Sequence, residues 1–242
     1  SGGKGLARYL DGKWKGFSQA NSGLVDDFIS ALLVWNNRLV VGTREGLAQF
    51  DGPLWTRLDL GAWSQRSVTA LVDQEKRLWV GTTRGLFVIE PDGQFRGVQI
   101  EGESFPWVHA LAVWNKMVIV AFENGVFTIT PDGTATSIVF DGNRVGRTFT
   151  LFSTDSGLLL SGSKGLFRWR EGTMEGIALG DAGNTPTSMI TAFLPSGDSL
   201  YFGTSGAGLL KVPVAGLVAV PDVAANDAIR NRPLSSGSAV AI

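Results

Sequence analysis

Few side chains in this sequence could carry catalysis. His109 is the only histidine among 242 residues, and cysteine is absent. These counts exclude a multi-histidine metal site, a thiolate metal site and a cysteine nucleophile. An acid–base pair would have to combine His109 with a carboxylate, and Glu123 is the partner that we nominate. Because His109 lies within the apolar run Trp107–Leu111, a histidine held inside a strand is the favoured interpretation.

Acidic residues mark turns rather than metal sites. Four aspartates directly precede a glycine: Asp11, Asp51, Asp92 and Asp132. Asp-Gly is preferred in tight hairpins, so this repetition indicates turn chemistry. Asp26-Asp27 and Asp141-Gly142-Asn143 lack the alternating oxygen ligands and closing glutamate of a calcium loop, and the glycine-rich stretches 1–5 and 205–208 lack the features of a phosphate-binding loop. We therefore predict no metal and no cofactor.

Aromatic and basic residues are stronger candidates for binding a ligand or partner. Trp63 and Trp107 lie in or beside irregular segments, where contact residues concentrate, whereas Trp14, Trp55, Trp79 and Trp169 are expected to pack between sheets. The basic candidates lie in short turns (Arg44, Arg84 and Lys164) or in longer irregular segments (Arg66, Arg144 and Arg147). With His109 and the first two tryptophans, they form the candidate binding set.

A repeat of about forty residues positions all of these side chains. A glycine followed by leucine or valine recurs every 39 to 43 residues, at Gly5, Gly46, Gly85, Gly125, Gly165 and Gly208. The unit around Gly85 contains four short runs rich in Val, Leu, Phe and Trp, namely Val68–Val72, Leu78–Gly81, Gly85–Glu90 and Phe95–Ile100. Short polar gaps between the runs predict antiparallel hairpins, and no segment shows a sustained helical period. Each unit is thus predicted to be a four-stranded meander.

Such a meander can bury both of its faces when several sheets stack around an axis, as in a β-propeller. The repeated second-strand phrase reads Leu39–Thr43, Leu78–Thr82 and Leu200–Thr204, each followed closely by Gly-Leu. This phrase resembles the two-component regulator propeller repeat, and the resemblance covers nearly the whole chain up to about Val220. It implies an all-β propeller that serves as part of a sensory ectodomain or as a subunit of an extracytoplasmic assembly.

The ends of the chain predict how the ring of blades closes. Residues 1–8 match the third-strand phrase at 205–211, whereas residues 238–242 match a first-strand phrase. We therefore predict a single domain of six four-stranded blades, in which the C-terminal strand pairs with the N-terminal strands and one strand is absent from this sequence. The repeats are placed near 24–65, 66–104, 105–145, 146–186 and 187–220, with 1–20 and 236–242 sharing the closing blade and 221–235 as a linker.

Composition bears on nucleic-acid binding, on membrane spans and on cellular location. A formal net charge of −1 argues against a general nucleic-acid binder. No run approaches the roughly eighteen apolar residues of a membrane span. The lack of cysteine is typical of exported bacterial proteins that avoid unpaired thiols, so a periplasmic or extracellular location is expected.

The expected propeller places the candidate binding set on one face. Inter-blade connections and the short turns before each Gly-Leu pair open on the same side of a propeller. That side would therefore carry a basic surplus suited to a protein partner or to a polar or anionic ligand. The leading hypothesis is a non-enzymatic binding or scaffold propeller. The alternatives are a lyase resembling streptogramin lyase, built on His109 and Glu123, and a carbohydrate-binding module that uses Trp63 and Trp107 as stacking platforms.

Overall fold

Short antiparallel strands account for nearly all regular structure in this chain. The computed structural model describes residues 3–52, 54–61, 64–100, 106–123, 125–130, 134–138, 147–179 and 189–220. Within these ranges, helical structure is limited to the four-residue helix α1 (Gln19–Ser22), a 3-10 turn at Val214–Gly216 and the 3-10 position Gly61. The prediction of an all-β propeller is confirmed.

The strands follow one another in hairpins along the chain. They are β1 (Leu6–Leu10), β2 (Lys13–Phe17), β3 (Ile29–Trp35), β4 (Arg38–Thr43), β5 (Gly46–Phe50), β6 (Trp55–Arg57), β7 (Val68–Gln74), β8 (Arg77–Thr82), β9 (Gly85–Ile89), β10 (Phe95–Val98) and β11 (Val108–Trp114). They continue as β12 (Met117–Phe122), β13 (Gly125–Ile129), β14 (Ala135–Ser137), β15 (Thr148–Thr154), β16 (Gly157–Gly162), β17 (Gly165–Arg170), β18 (Thr173–Leu179), β19 (Ile190–Ser196), β20 (Ser199–Thr204), β21 (Leu209–Pro213) and β22 (Leu217–Val220).

Five of the sheets formed by the described strands are propeller blades. Blade one is β3–β6, blade two is β7–β10 and blade three is β11–β14, each with four strands in sequential order. Blade four is β15–β18 with β22 added at its outer edge, and blade five is β19–β21. The hairpin β1–β2 forms a separate two-stranded sheet.

The prediction of six blades is wrong, because the described residues form five. Six Gly-Leu copies exist in the sequence, but the copy at Gly5 is followed only by β1 and β2, and two strands do not make a blade. Residues 239–242, which were expected to complete that sheet, lie outside the described residues. Strand β22, which follows β21 in the sequence, pairs with β18 of blade four through Gly176↔Val220 to Leu179↔Leu217, not with β21.

Contacts within the chain divide it into two compact units. The first contains the described residues up to Val118 together with Ile129 to Ala135, and the second contains Ile119 to Thr128 together with the described residues from Thr136 onward. Blades one and two belong to the first unit, and blades four and five belong to the second. The single-domain assignment, with its repeat boundaries, stays a prediction.

Turn residues explain where the strands reverse. In the hairpins β3–β4, β7–β8 and β11–β12, both turn residues have positive φ, and these pairs are Asn36-Asn37, Glu75-Lys76 and Asn115-Lys116. Positive φ at both central positions is the geometry of a two-residue hairpin whose twist matches that of the strands. The Asp11-Gly12 pair has the same property, with φ values of 50° and 76°. The turn chemistry predicted for this Asp-Gly pair is therefore confirmed.

The threonine that ends each second-strand phrase holds the following turn. The hydroxyl of Thr43 donates to the Gly46 carbonyl at 2.9 Å and accepts from the Glu45 amide at 3.1 Å. Thr82 makes the same two bonds with the Gly85 carbonyl and the Arg84 amide, at 2.8 and 3.0 Å. Both threonines are buried. Each of these two short turns therefore has a fixed shape.

Neighbouring blades of the first unit lock together at both ends of their first strands. At one end, the Trp35 indole donates to the Lys76 carbonyl at 2.8 Å. Gln74 occupies the equivalent position of blade two, and its side-chain amide donates to the Lys116 carbonyl at 3.0 Å. At the other end, Val68 packs against Gly42, where an added Cβ would lie 2.4 Å from a Val68 methyl carbon. Blades one and two therefore share one buried core, which includes Val40, Leu47, Val68, Leu78 and Phe87.

Tryptophan burial follows this packing. Trp55 is 5% exposed and Trp79 is fully buried, as expected for residues between sheets. The same expectation is wrong for Trp14, which is 73% exposed. Trp14 lies on the hairpin β1–β2, opposite Tyr9, and the side chains of these two residues contact each other with ring centroids 5.0 Å apart. No described sheet covers that face of the hairpin, so the tryptophan remains in solvent.

Gly81 is a position where an added methyl group should be costly. A Cβ at Gly81 would lie 2.5 Å from a methyl carbon of the fully buried Val108 and 3.3 Å from the Thr69 hydroxyl. Overpacking of this kind costs roughly 1–3 kcal/mol. We expect Gly81→Ala to lower the free energy of unfolding by that amount, measured by urea denaturation. Gly16→Ala is the control, because nothing lies within 4 Å of its added Cβ. Equal stability of the two variants would contradict this account of blade packing.

Candidate functional site

Short turns and inter-blade connections lie side by side within each unit. In the first unit, the Gly85 amide donates to the Pro106 carbonyl at 2.9 Å, and the Thr83 amide donates to the Ser67 carbonyl at 3.0 Å. In the second unit, the Ser163 amide donates to the Arg147 carbonyl at 2.9 Å. Each turn is therefore hydrogen-bonded to an inter-blade connection: Gly85 to the one that enters blade three, and Thr83 and Ser163 to the ones that enter their own blades.

Four members of the candidate binding set lie on neighbouring segments of the first unit, and we call them the arginine–tryptophan cluster: Arg66, Arg84, Trp107 and His109. The Arg66 guanidinium donates to the Arg84 carbonyl and lies 5.5 Å from the centroid of the Phe87 ring. Trp107 directly follows Pro106, and the Pro106 carbonyl accepts a hydrogen bond from the Gly85 amide. Trp107 is therefore next to a residue that is bound to the turn carrying Arg84. Trp107 is 52% exposed, and its ring centroid lies 5.3 Å from that of His109 with the planes inclined by 32°.

The electrostatics of this cluster favour negative charge. Burial lowers the pKa of Arg66 below its usual range, and the positive charge of Arg84 lowers it further. Arginine nevertheless stays charged at neutral pH, so Arg66 and Arg84 both contribute positive charge at this turn. In the described part of the chain, the Arg84 guanidinium makes no ion pair, and its side chain is exposed. An anionic group bound here would reduce the repulsion between the two guanidinium groups.

Other predicted residues are engaged within the protein. Arg44 lies over the Phe28 ring, 3.4 Å from its centroid, and 4.0 Å from an Asp26 carboxylate oxygen. In the second unit, Arg147 forms an ion pair with Glu123, and its amide donates to the hydroxyl of Ser163, the neighbour of Lys164, at 3.2 Å. Lys164 is half-buried and has a partner within the chain.

Two members of the candidate binding set belong to the part of the chain that the structure does not describe. Trp63 and Arg144 lie outside the described residues. The carbohydrate-binding hypothesis required both Trp63 and Trp107 as stacking platforms, so it stays a prediction. The lyase hypothesis nominated Glu123 beside His109, and the structure shows Glu123 paired with Arg147.

The sequence reasoning missed the residues that shape the connection between blades one and two. Asp59 accepts from the Gly61 amide and from the Ser64 hydroxyl, both at 2.9 Å. The Ser64 hydroxyl in turn accepts from the Leu60 amide at 2.5 Å. Arg57 donates to the Glu45 carbonyl at 2.6 Å and to the Ser64 carbonyl at 3.0 Å. The Asp-Leu-Gly sequence at 59–61 was the available signal, because aspartate commonly accepts from the amide two residues later.

Neither a metal site nor a membrane helix emerges from the described ranges. No group of three or more histidine, aspartate or glutamate side chains there is arranged to hold a metal ion. Across the same part of the chain, no helix has the length and apolar character needed to span a bilayer.

Asp59 should make the hydrogen bonds of the connection between blades one and two sensitive to acid. The Gly61 amide, followed by the Ser64 hydroxyl, holds the pKa of Asp59 below its ordinary value of 3.8. A lowered native pKa contributes stability above the unfolded pKa, and that stability is lost as pH falls through the native value. We expect exchange of the Leu60 and Gly61 amides to accelerate, beyond the intrinsic pH dependence, as pH falls from about 5 to about 2.5.

Two variants test this assignment. Asp59→Asn should remove the acid-dependent part of amide protection at Leu60 and Gly61. Asp73→Asn, which neutralises a similar local acceptor in the β7–β8 turn, should leave it unchanged. The assignment is wrong if wild type and Asp59→Asn show the same pH profile.

The solved structures similar to this chain share its β-propeller architecture. No protein-family model and no curated protein matches this sequence. Among solved structures, the extracellular domain of a protein named as a hybrid two-component system from B. thetaiotaomicron has a TM-score of 0.66 at 20% identity. The alignment covers 90% of this chain and 29% of that one. PorZ, a bacterial surface component of the type-IX secretion system of Porphyromonas gingivalis, has a TM-score of 0.58 at 16% identity over 88% of this chain and 29% of its own.

An enzyme shares the fold as well. A catalytically inactive histidine-to-alanine variant of virginiamycin B lyase from Staphylococcus aureus, solved with quinupristin, has a TM-score of 0.63 at 13% identity. That alignment covers 81% of this chain and 70% of the lyase. This chain spans less than a third of the sensor domain and of the secretion component. At these identities the comparisons show that the chain has the β-propeller fold found in extracellular domains of bacterial proteins.

Proposed function

We propose that this chain is a non-enzymatic binding segment of an extracytoplasmic bacterial protein, and that its arginine–tryptophan cluster docks an acidic protein surface. The observation that carries the proposal is the exposed Arg84 on a turn that binds Arg66 through its carbonyl and the Trp107 connection through the Gly85 amide. Trp107 is itself half exposed. A partner carboxylate would be attracted to the two positive charges at this turn.

Residue types in the cluster support a protein partner. Arginine and tryptophan are enriched among interface residues whose truncation costs most binding energy. Trp107 offers a rigid apolar surface, and its contact with His109 limits how far its ring can rotate. The turn that carries Arg84 is fixed by Thr82, so little conformational entropy is lost on binding.

The comparisons support the cellular setting of the proposal. The fold is shared with the extracellular domain of a two-component system protein and with a surface component of a secretion system. The absence of cysteine suits an oxidising compartment. In this proposal the chain is either part of a sensor ectodomain or part of a surface assembly, and its partner is recognised through acidic side chains.

A charge-reversal pair tests the electrostatic part of the proposal. A fluorescein-labelled peptide of about ten glutamates is the probe, and its anisotropy reports binding at several salt concentrations. Arg84→Glu should weaken binding by about fivefold or more and flatten its salt dependence, because exposed charges interact within roughly 10 Å. Lys76→Glu is the matched control, since it makes the same charge change at the opposite turn of β8. Equal weakening by the two variants would show that only the net charge matters, and it would contradict a binding role for the arginine–tryptophan cluster.

A tryptophan pair tests the aromatic part. Trp107→Ala should weaken binding of the same peptide by about twofold to tenfold, through loss of the apolar platform. Trp14→Ala removes another exposed tryptophan, on the hairpin β1–β2, and should leave binding unchanged. If the two substitutions act alike, Trp107 has no special role.

A lyase is the second candidate, and the fold of virginiamycin B lyase favours it. Replacing a histidine by alanine leaves that lyase catalytically inactive, and this chain has one histidine, His109. The test is turnover of quinupristin by the wild-type chain and by His109→Ala, with circular dichroism to confirm folding. Turnover that disappears in the folded variant would establish the lyase and overturn the non-enzymatic proposal.

A further inference from the structure

The short turns of blades one and two present opposite charges at equivalent positions. Glu45 directly precedes Gly46, and Arg84 directly precedes Gly85. Both side chains are exposed, and in the part of the chain that the structure describes neither of them takes part in an ion pair. We call Glu45 and Arg84 the charged turn pair.

Hydrogen bonds hold the backbone of both residues in the same way. The amide of each one donates to the hydroxyl of the threonine two residues earlier. The carbonyl of Glu45 accepts from the Arg57 guanidinium, and the carbonyl of Arg84 accepts from the Arg66 guanidinium. Because each residue is bonded at its amide and at its carbonyl, both charged side chains start from a fixed backbone.

A short segment links the two turns. The Arg57 nitrogen that donates to the Glu45 carbonyl also donates to the Ser64 carbonyl, at 3.0 Å. Ser64 is two residues before Arg66, which binds the Arg84 carbonyl. Three residues span at most roughly 10 Å when fully extended. A partner surface of standard size, about 800 Å², is therefore large enough to contact both members of the charged turn pair.

The basic residues nearest to Glu45 act on other carboxylates. Arg44 lies 4.0 Å from a carboxylate oxygen of Asp26. The positive charge of Arg57 acts on the carboxylate of Asp59. The negative charge of Glu45 is therefore presented to solvent at the blade-one turn.

The blade-two turn has the opposite balance. Arg66 is held against the Arg84 carbonyl, so the charges of both arginines are positive at this turn. Going from the blade-one turn to the blade-two turn, the exposed charge changes from negative to positive.

We infer that the acidic partner of the arginine–tryptophan cluster also carries a basic side chain, placed to meet Glu45 when a partner carboxylate meets Arg84. This inference rests on the proposed function, because it adds a second contact to the same docking surface. Opposite charges at neighbouring fixed points favour a partner with the complementary order of charges and disfavour a partner that is acidic throughout. Glu45 is thus a specificity-determining residue, whereas Arg66 and Arg84 supply the attraction.

Two fluorescein-labelled peptides test the inference, with the full chain and anisotropy as the readout. One is the peptide of about ten glutamates, and the other joins a block of about five glutamates to a block of about five lysines. We expect Glu45→Gln to tighten binding of the all-glutamate peptide by about twofold to fivefold, because it removes a repulsion. The same variant should weaken binding of the two-block peptide by a similar factor, because the lysine block loses its partner.

Glu75→Gln is the matched control. Glu75 is also exposed, and it lies in the turn between β7 and β8, at the other end of β8 from Arg84. The substitution removes the same charge outside the charged turn pair, so it should change binding of either peptide by less than about twofold. Circular dichroism confirms that each variant is folded.

Several outcomes would overturn the inference. Equal tightening of the all-glutamate peptide by Glu45→Gln and Glu75→Gln would make the change an effect of net charge. A change in the same direction for both peptides would show that Glu45 does not discriminate between orders of charge. If Glu45→Gln leaves both peptides unchanged while Arg84→Glu weakens binding of the all-glutamate peptide, the inference fails and the proposed function stands. If Arg84→Glu has no effect either, or if wild type binds neither peptide, the proposed function fails as well.

Discussion

The structure of the first unit depends on close contact between a valine that opens one blade and a glycine near the end of the preceding blade's second strand. Val68 meets Gly42 and Val108 meets Gly81, and in both cases the valine fills the space where a Cβ would otherwise project. Dense packing of this kind leaves little freedom in the distance between sheets. That distance brings the Gly85 amide of blade two to the Pro106 carbonyl in the connection to blade three. The place of Trp107 next to the Arg84 turn is therefore a consequence of blade spacing, whereas the contact between Arg66 and the Arg84 carbonyl lies within blade two.

Local chemistry explains why much of the fold could be predicted from the sequence. The runs around Gly85 were placed within a few residues of β7 to β10, because apolar alternation and turn residues act over short distances. The number of blades could not be obtained in the same way. Counting Gly-Leu copies counts third strands, and it does not reveal whether first and second strands stand beside them. Likewise, β22 pairs with β18 because of which sheet edge it meets, and no local pattern specifies that choice.

The candidate site was less predictable, because charge pairing depends on contacts between distant segments. Arg44 and Arg84 occupy equivalent turns, yet Arg44 lies over Phe28 and near Asp26, whereas Arg84 lies beside Arg66. The residues that differ come from the inter-blade connections, which vary in length and sequence from blade to blade. Alignment of the repeats identifies equivalent turns, but it gives no equivalent positions within these connections. It therefore predicted which residues are basic and exposed, and it could not predict which of them are paired.

These pairings separate the basic residues into two kinds with different consequences for binding. The Arg147–Glu123 pair is about half exposed on both sides, and surface ion pairs of this sort contribute about 0–1 kcal/mol. In the proposed function, a partner carboxylate could replace Glu123 at little cost. Arg66 is held by a backbone carbonyl and by the Phe87 ring. Under the same proposal, this held guanidinium beside the exposed Arg84 would give direction to recognition, because an acidic partner would have to bring its negative charge to a place that the fold has already determined.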